Sequence, residues 1–291
     1  MKIFALLLLV VTSAQATTSQ IIPVFMEAVG VYLQTDQAFQ DSAIVRPEVK
    51  KIIQLLDAKK ISKSKLSEYL VHASTKSQWQ LPPDDQFDRW EKSTTPLNEV
   101  PEVALQAFRF DVIEESDDWF NDDIYMYFFI TDGVIPTGKV TSIYKGLDQG
   151  QSFFLNEVDR AIFPLVGIPA KRPDNHLIVD YGIVESDGDD IKELQKLSSV
   201  LVDIAIAVYT SIDPQNAPVI INLRKEIKAL ADLLLSLNHD DRLVVGSFGY
   251  KASELSTTFG QETYVEFDRS HKKSSTLDSW EYLIHFRLVR N

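Results

Sequence analysis

Near its end the chain carries WEYLIHFRLVR, residues 280–290, in which Tyr282, Ile284, Phe286 and Leu288 alternate with His285 and Arg287. A period of two puts successive side chains on opposite faces of an extended strand, so one face of this segment is apolar and the other polar. Such a strand cannot bury its apolar face alone. The partners it needs are present upstream. AFRFDVIE sets Phe108, Phe110 and Val112 against Arg109 and Asp111, and TGKVTSIY, SFFLNE, HLIVDYGIVE, DRLVVGSFGY and ETYVEFD also read as strands. IYMYFFI is apolar at every position, which places it inside a sheet rather than at an edge. Short strands parted by Gly-, Asp- and Pro-rich turns predict an antiparallel sandwich.

Two regions break this period. Residues 20–76 carry apolar residues at mixed three and four spacing in IIPVFMEAVGVYLQ, RPEVKKIIQLLDAKK and SKSKLSEYLVHAS, which predicts helices. In the second, Val49, Ile52, Ile53 and Leu56 share a face, and Pro47 suits a first helical turn. Residues 189–238 are helical twice over: Leu194, Leu197, Leu201, Ile204 and Val208 form one seam, and Ile220, Leu223, Ile227, Leu230, Leu234 and Leu237 another. The short turn TSIDPQNAP between them predicts an antiparallel helical hairpin. The expected organisation is α+β. It comprises a leader over 1–16, a small helical segment over 17–76, a Pro-containing connector over 77–102 with Trp79 and Trp90 packed down, and a sandwich over 103–291 that carries the hairpin as an insertion.

The leader decides the expected compartment. Lys2, the apolar run IFALLLLVV and Ala14-Gln15-Ala16 form the charged, apolar and small-residue regions of a secretory signal peptide. About ten apolar residues fall well short of the roughly 20 that span a bilayer. Cleavage after Ala16 leaves 42 acidic against 28 basic residues, a net charge of −14. Such a surface repels phosphate backbones and anionic lipids, which argues against nucleic acid and membrane contact and favours a cation or a basic protein surface. With no cysteine there is no disulfide framework, so an ordinary core must hold the fold. The chain reads as exported, periplasmic or secreted.

Acidic groups gather at predicted strand ends: ESDDWFNDD before IYMYFFI, Glu185, Asp187, Asp189 and Asp190 after HLIVDYGIV, and Asp240 and Asp241 before RLVVGSF. Turns collect Asp, and the N-terminal dipole of a helix starting near 189 favours anions, so solvated turns account for these groups. A calcium ion held by six to eight oxygens is the other reading. The order of a carboxylate loop before DDIYMY and of HLIVDYGIVESDGDD after it resembles C2-like β-sandwich domains of secreted bacterial proteins, over about residues 103–290. Asp123 stands where that pattern has Glu, and the helical insertion is long. The resemblance implies binding of calcium or a partner by end loops, with Asp122, Asp123, Glu185, Asp187 and Asp190 as metal candidates.

Signals for catalysis are weak. None of the five histidines lies in a zinc-binding motif, no phosphate or dinucleotide loop is present, and VGSFG at 245–249 has Val245 where a nucleophile elbow has Gly, inside a strand instead of a strand-to-helix turn. In the hairpin, Asp203 and the charges Arg224, Lys225, Glu226 and Lys228 oppose membrane insertion. The expected function is non-enzymatic binding outside the cytoplasm, as a partner-binding or accessory component of a secreted toxin or effector system, with or without calcium. Three alternatives remain: a periplasmic inhibitor or immunity protein, a secreted hydrolase built on carboxylates or Ser247, and a membrane-active toxin using the hairpin.

Overall fold

The computed structural model describes residues 21–33, 45, 47–64, 66, 96–114, 122–132, 137–164, 170–174, 176–185, 196, 241–273 and 279–291. The leader, most of the third predicted helix, the connector up to residue 95, the hairpin apart from Lys196, and the candidates Asp187 and Asp190 lie outside them. The chain divides into two compact units, residues 1–90 with 188–240 and residues 91–187 with 241–291.

In the first unit, helices α1 (Ile21–Leu33) and α2 (Pro47–Ala58) match the predicted segments. The apolar stripe of α2, Val49, Ile52, Ile53 and Leu56, is buried with Phe25, Ala28 and Val29 of α1. The end of α2 satisfies its last carbonyls by turning back on itself: Ile61 N donates to Leu56 O and Lys60 N to Asp57 O. Lys60 takes the left-handed conformation this closure needs, at φ 53°, and the buried pair Leu56 and Ile61 seals it. Tyr32 fixes the same corner by donating to Ile61 O at 2.8 Å.

The second unit is the sandwich. Its strands are β1 (Val103–Glu114), β2 (Asp122–Thr131), β3 (Thr137–Val140), β4 (Tyr144–Leu147), β5 (Ser152–Phe154), β6 (Ala161–Phe163), β7 (His176–Glu185), β8 (Asp241–Lys251), β9 (Tyr264–Lys273) and β10 (Trp280–Arg290). Helices α3 (Glu157–Arg160) and α4 (Ala252–Phe259) join β5 to β6 and β8 to β9. The first sheet runs β5-β1-β10-β9 with β6 also on β1, and the second runs β3-β2-β7-β8 with β4 also on β2. Among the described residues every strand pairing is antiparallel. The two-sheet expectation therefore holds; the described residues are mostly β with a few short helices.

One continuous core lies between the sheets. Leu105, Phe110 and Val112 from β1 and Tyr282, Ile284, Phe286 and Leu288 from β10 face Ile124, Met126 and Phe128 from β2 and Val179, Tyr181 and Ile183 from β7. IYMYFFI occupies the interior position predicted for it, between β3 or β4 and β7, and is buried on both faces. Three details differ from the sequence reading. A bulge between Ala107 and Arg109 hands the core position to Ala107, so Phe108 leaves the core face and lies 4.7 Å below the Arg287 guanidinium instead. TGKVTSIY breaks into β3 and β4 because both pair with β2, and Thr141 in the break exchanges bonds with Met126, donating N–H to its carbonyl at 2.8 Å and accepting its N–H on Oγ1 at 2.9 Å. β9 runs on through the polar residues Arg269–Lys273, since an edge strand needs pairing from β10 rather than burial on both faces.

Two glycines are dictated by tyrosines beside them. Tyr127 is the register partner of Gly182, and Tyr181 that of Gly246. Each ring lies across its glycine so closely that a Cβ on Gly182 would meet Tyr127 ring atoms from 2.2 Å, and one on Gly246 would meet Tyr181 from 2.3 Å. Tyr181 is 1% exposed, so its ring has nowhere to go. Gly246→Ala should cost about 1–3 kcal/mol through overpacking, read as a fall in the urea midpoint at unchanged slope.

Candidate functional site

The acidic strand ends meet at one end of the second sheet. Ile124 pairs with Glu185, and Glu185 pairs with Asp241, so the start of β2, the end of β7 and the start of β8 stand side by side. Asp122 opposes Leu147 of β4, and a bulge between Asp122 and Ile124 sets Asp123 out of register. Bulges of this kind re-aim a side chain. Here the Asp123 carboxylate turns to β4, accepting from Gly146 N at 2.8 Å with Lys145 Nζ at 3.4 Å. One of the candidate ligands thus already has a cation and an amide from its own chain. Among the described residues no group of three His, Asp or Glu is arranged to hold a metal ion. The convergence of backbone ends concerns Asp122, Asp123, Glu185 and Asp241; Asp187 and Asp190 lie outside the described residues.

Sequence reasoning missed a second polar assembly, on the outer face of the first sheet. His285 of β10 stands between two carboxylates, with Nε2 at 2.7 Å from Asp111 Oδ2 of β1 and Nδ1 at 2.6 Å from Asp268 Oδ1 of β9. Arg109 donates to Asp111 Oδ2 at 2.8 Å. The signal was available: Arg109 and Asp111, and His285 and Arg287, alternate onto the polar faces of two predicted strands. What the sequence lacked was the pairing that sets Arg109 beside His285. Burial alone would raise the Asp111 carboxyl, but hydrogen bonds from Arg109, His285 and Ser152 outweigh it and hold the group below the ordinary carboxylate range. Chemically this is a clasp of three strands. Both ring nitrogens are engaged, which leaves none to take a proton from a substrate.

A third network closes the β3–β4 side. Asp159 of α3, 3% exposed, accepts on Oδ2 from Tyr144 O–H at 2.8 Å, Asn156 Nδ2 at 2.6 Å and Ser142 N at 3.1 Å. Asn156 caps the helix in turn, accepting from Asp159 N at 2.9 Å. Lys139 donates to Ala161 O at 2.7 Å and to Val158 O; burial lowers its amine to about 8 against the pull of Asp159. These groups are spent on one another and on backbone, which is the arrangement of a structural corner.

Ser247 lies within β8, where its hydroxyl donates directly to Asp180 at 2.6 Å. In a hydrolytic triad a histidine stands between serine and carboxylate. His176, on β7 with Asp180, pairs with Lys251, four residues along β8 from Ser247.

No protein-family model matches the chain, and no curated protein matches it. The fold is similar to C2 domain A of plant Extended Synaptotagmin 1, at 8% identity and a TM-score of 0.29 over 66% of this chain and 95% of that one. It is also similar to human GIVD cytosolic phospholipase A2, solved with methyl gamma-linolenyl fluorophosphonate, at 6% identity and a TM-score of 0.25 over 65% of this chain and 16% of that one. A third similar structure is of CC2D1B, which coordinates ESRCT-III activity during mitotic reformation of the nuclear envelope, at 7% identity and a TM-score of 0.28 over 92% of this chain and 85% of that one. At such values these likenesses carry no statement about activity.

Proposed function

We propose that this is an exported, non-enzymatic binding protein that presents the acidic end of its second sheet to a cationic ligand. The observation that carries the reading is the row Ile124, Glu185 and Asp241, which brings three acid-bearing strand ends together. The leader-like residues 1–16 support export, and the net charge of −13 supports a cationic counterpart. The His285 ring held at both nitrogens and Ser247 bonded directly to Asp180 support binding over hydrolysis. A basic protein surface is the preferred counterpart, in keeping with an accessory component of a secreted toxin or effector system or with a toxin-neutralising inhibitor. Calcium dependence is the finer form of the proposal.

Thermal unfolding separates the two. A melting temperature that rises from EDTA to millimolar calcium, and no longer rises in Asp122→Asn with Glu185→Gln, makes the site calcium-linked, because a ligand bound to the native state stabilises it by about 2.7 kcal/mol at a hundredfold excess over Kd. A flat response to calcium leaves the basic-surface form. In that form polylysine binds in low salt, weakens steeply as salt is added, and binds the double variant less well. No response to either probe, or equal polylysine binding by the double variant, overturns the proposal.

A further inference from the structure

β8 and β9 end their respective sheets among the described strands, and α4 joins them at one end. Among the described residues, the side of the sandwich between them is closed by aromatic rings, not by backbone pairing. Phe248 and Tyr250 of β8 meet Phe267 of β9 at 5.1 and 6.0 Å between centroids. The Arg269 guanidinium lies 5.5 Å from Phe248 and 5.2 Å from Phe267. A hydrogen bond crosses this side from sheet to sheet: Tyr181 O–H of β7 reaches His271 Nε2 of β9 at 2.6 Å. Tyr181 can lean that far because Gly246 of β8, beneath its ring, has no Cβ.

We propose that the Tyr181–His271 bond is an acid-sensitive latch that fastens edge strand β9 to the facing sheet and opens when the imidazole takes up a proton at Nε2. The donor and acceptor roles follow from the surroundings. Burial pushes the Tyr181 hydroxyl up, so it stays protonated and donates. Burial, with the Arg269 cation beside the ring, holds His271 below the usual imidazole range, so Nε2 accepts. The groups facing the ring are Tyr181 on β7, with ring centroids 5.6 Å apart, Arg269 on β9, and Tyr282, the β10 register partner of His271; on β8, Tyr250 packs on Phe267 of β9 and is itself pushed up by burial. Among these groups there is no carboxylate to compensate an imidazolium. Once Nε2 carries a proton it no longer accepts from Tyr181, and a second cation sits beside Arg269 in an apolar setting.

The sign is therefore fixed. Above the ordinary imidazole value, about 6.5, the ring is neutral whether the strand is fastened or free, and the latch is at full strength. Below that value the freed strand binds a proton that the fastened strand resists, so closure is lost as pH falls. The latch is independent of the acidic end and of any cationic ligand there, so either proposal can fail without the other.

Hydrogen exchange of the full chain tests it, amide by amide and corrected for intrinsic rates, from neutral to mildly acid pH. In the wild type, β9 amides should lose protection by about tenfold for each unit separating the open-state and closed-state values, while the central β2 amides hold theirs. His271→Gln, which can still accept from Tyr181 but does not titrate, should flatten that dependence. Tyr181→Phe keeps the ring and removes the donor, and should lower β9 protection at neutral pH by roughly threefold to tenfold. A flat wild-type profile, an undiminished acid step in His271→Gln, or neutral-pH protection unchanged in Tyr181→Phe would each overturn the latch.

Discussion

Phe286→Ala is expected to remove about 3–5 kcal/mol of folding stability, the range for emptying a large buried aromatic position. Phe286 is fully buried at the middle of β10. Its ring meets Phe128 and Tyr181 of the second sheet at 6.4 and 5.5 Å, Phe248 at 4.8 Å and Phe267 at 5.4 Å. It is the shared neighbour of rings from β2, β7, β8 and β9, so its loss opens a void that none of them fills without leaving another partner. Packing of this density relaxes poorly. Urea unfolding of the variant should show a much lower midpoint. Phe286→Leu, which keeps much of the volume, should fall well short of that loss. Equal effects of the two substitutions would mean that ring stacking, not filled space, is what Phe286 supplies.

His285→Ala is expected to cost about 2–3 kcal/mol near neutral pH, because it strips a charge-assisted bond from a buried carboxylate. Asp111 is 7% exposed, and among the described residues the cation left to it without the ring is Arg109. The Asp268 bond counts for less, since that side chain is 54% exposed and solvent screens it. The pH dependence follows from the depressed Asp111 carboxyl. A carboxylate whose folded value lies below its unfolded value, about 3.9, contributes stability above that pH and loses it as pH falls towards the folded value. The wild type should thus lose stability steeply on the acid limb. In His285→Ala, with less holding the carboxylate ionised, that limb should be shallower. Unfolding free energies at neutral pH and below about pH 4 check both statements, and an unchanged acid slope would show that His285 does not act through Asp111.

The two variants probe opposite faces of one strand, and both faces are legible in the sequence. WEYLIHFRLVR separates Phe286 from His285 by parity alone. What Phe286 packs against, and which carboxylates His285 joins, is not legible there. Asp111 lies 174 positions from His285, and His271 lies 90 from Tyr181. No local pattern reports such distances. The candidate site is half readable on the same grounds. Acidic residues at strand ends are visible as composition, but whether the ends meet depends on ladder registers, and those place Glu185 between Ile124 and Asp241. Asp123 reads as a ligand candidate because a sequence cannot show that a bulge turns it towards Lys145 and Gly146.

The short elements are hidden for a different reason. Helix α4 spans only Ala252–Phe259, too few residues for a periodic signal to outweigh its surroundings. Its one clear punctuation mark is Gly260, which holds φ 54° and ends it.

By itself, then, the sequence determined that the long described strands are extended and that Ile21–Leu33 and Pro47–Ala58 are helical. It also determined which face of β10 is apolar, and that IYMYFFI sits inside a sheet, because these follow from side-chain periods within a few neighbouring residues. The tertiary structure alone decided the orders β5-β1-β10-β9 and β3-β2-β7-β8, the Phe286 ring cluster, the His285 clasp and the passage of Tyr181 over Gly246. Each depends on which strand lies beside or across from which. That choice is made by burying all the apolar faces together, and no segment carries it alone.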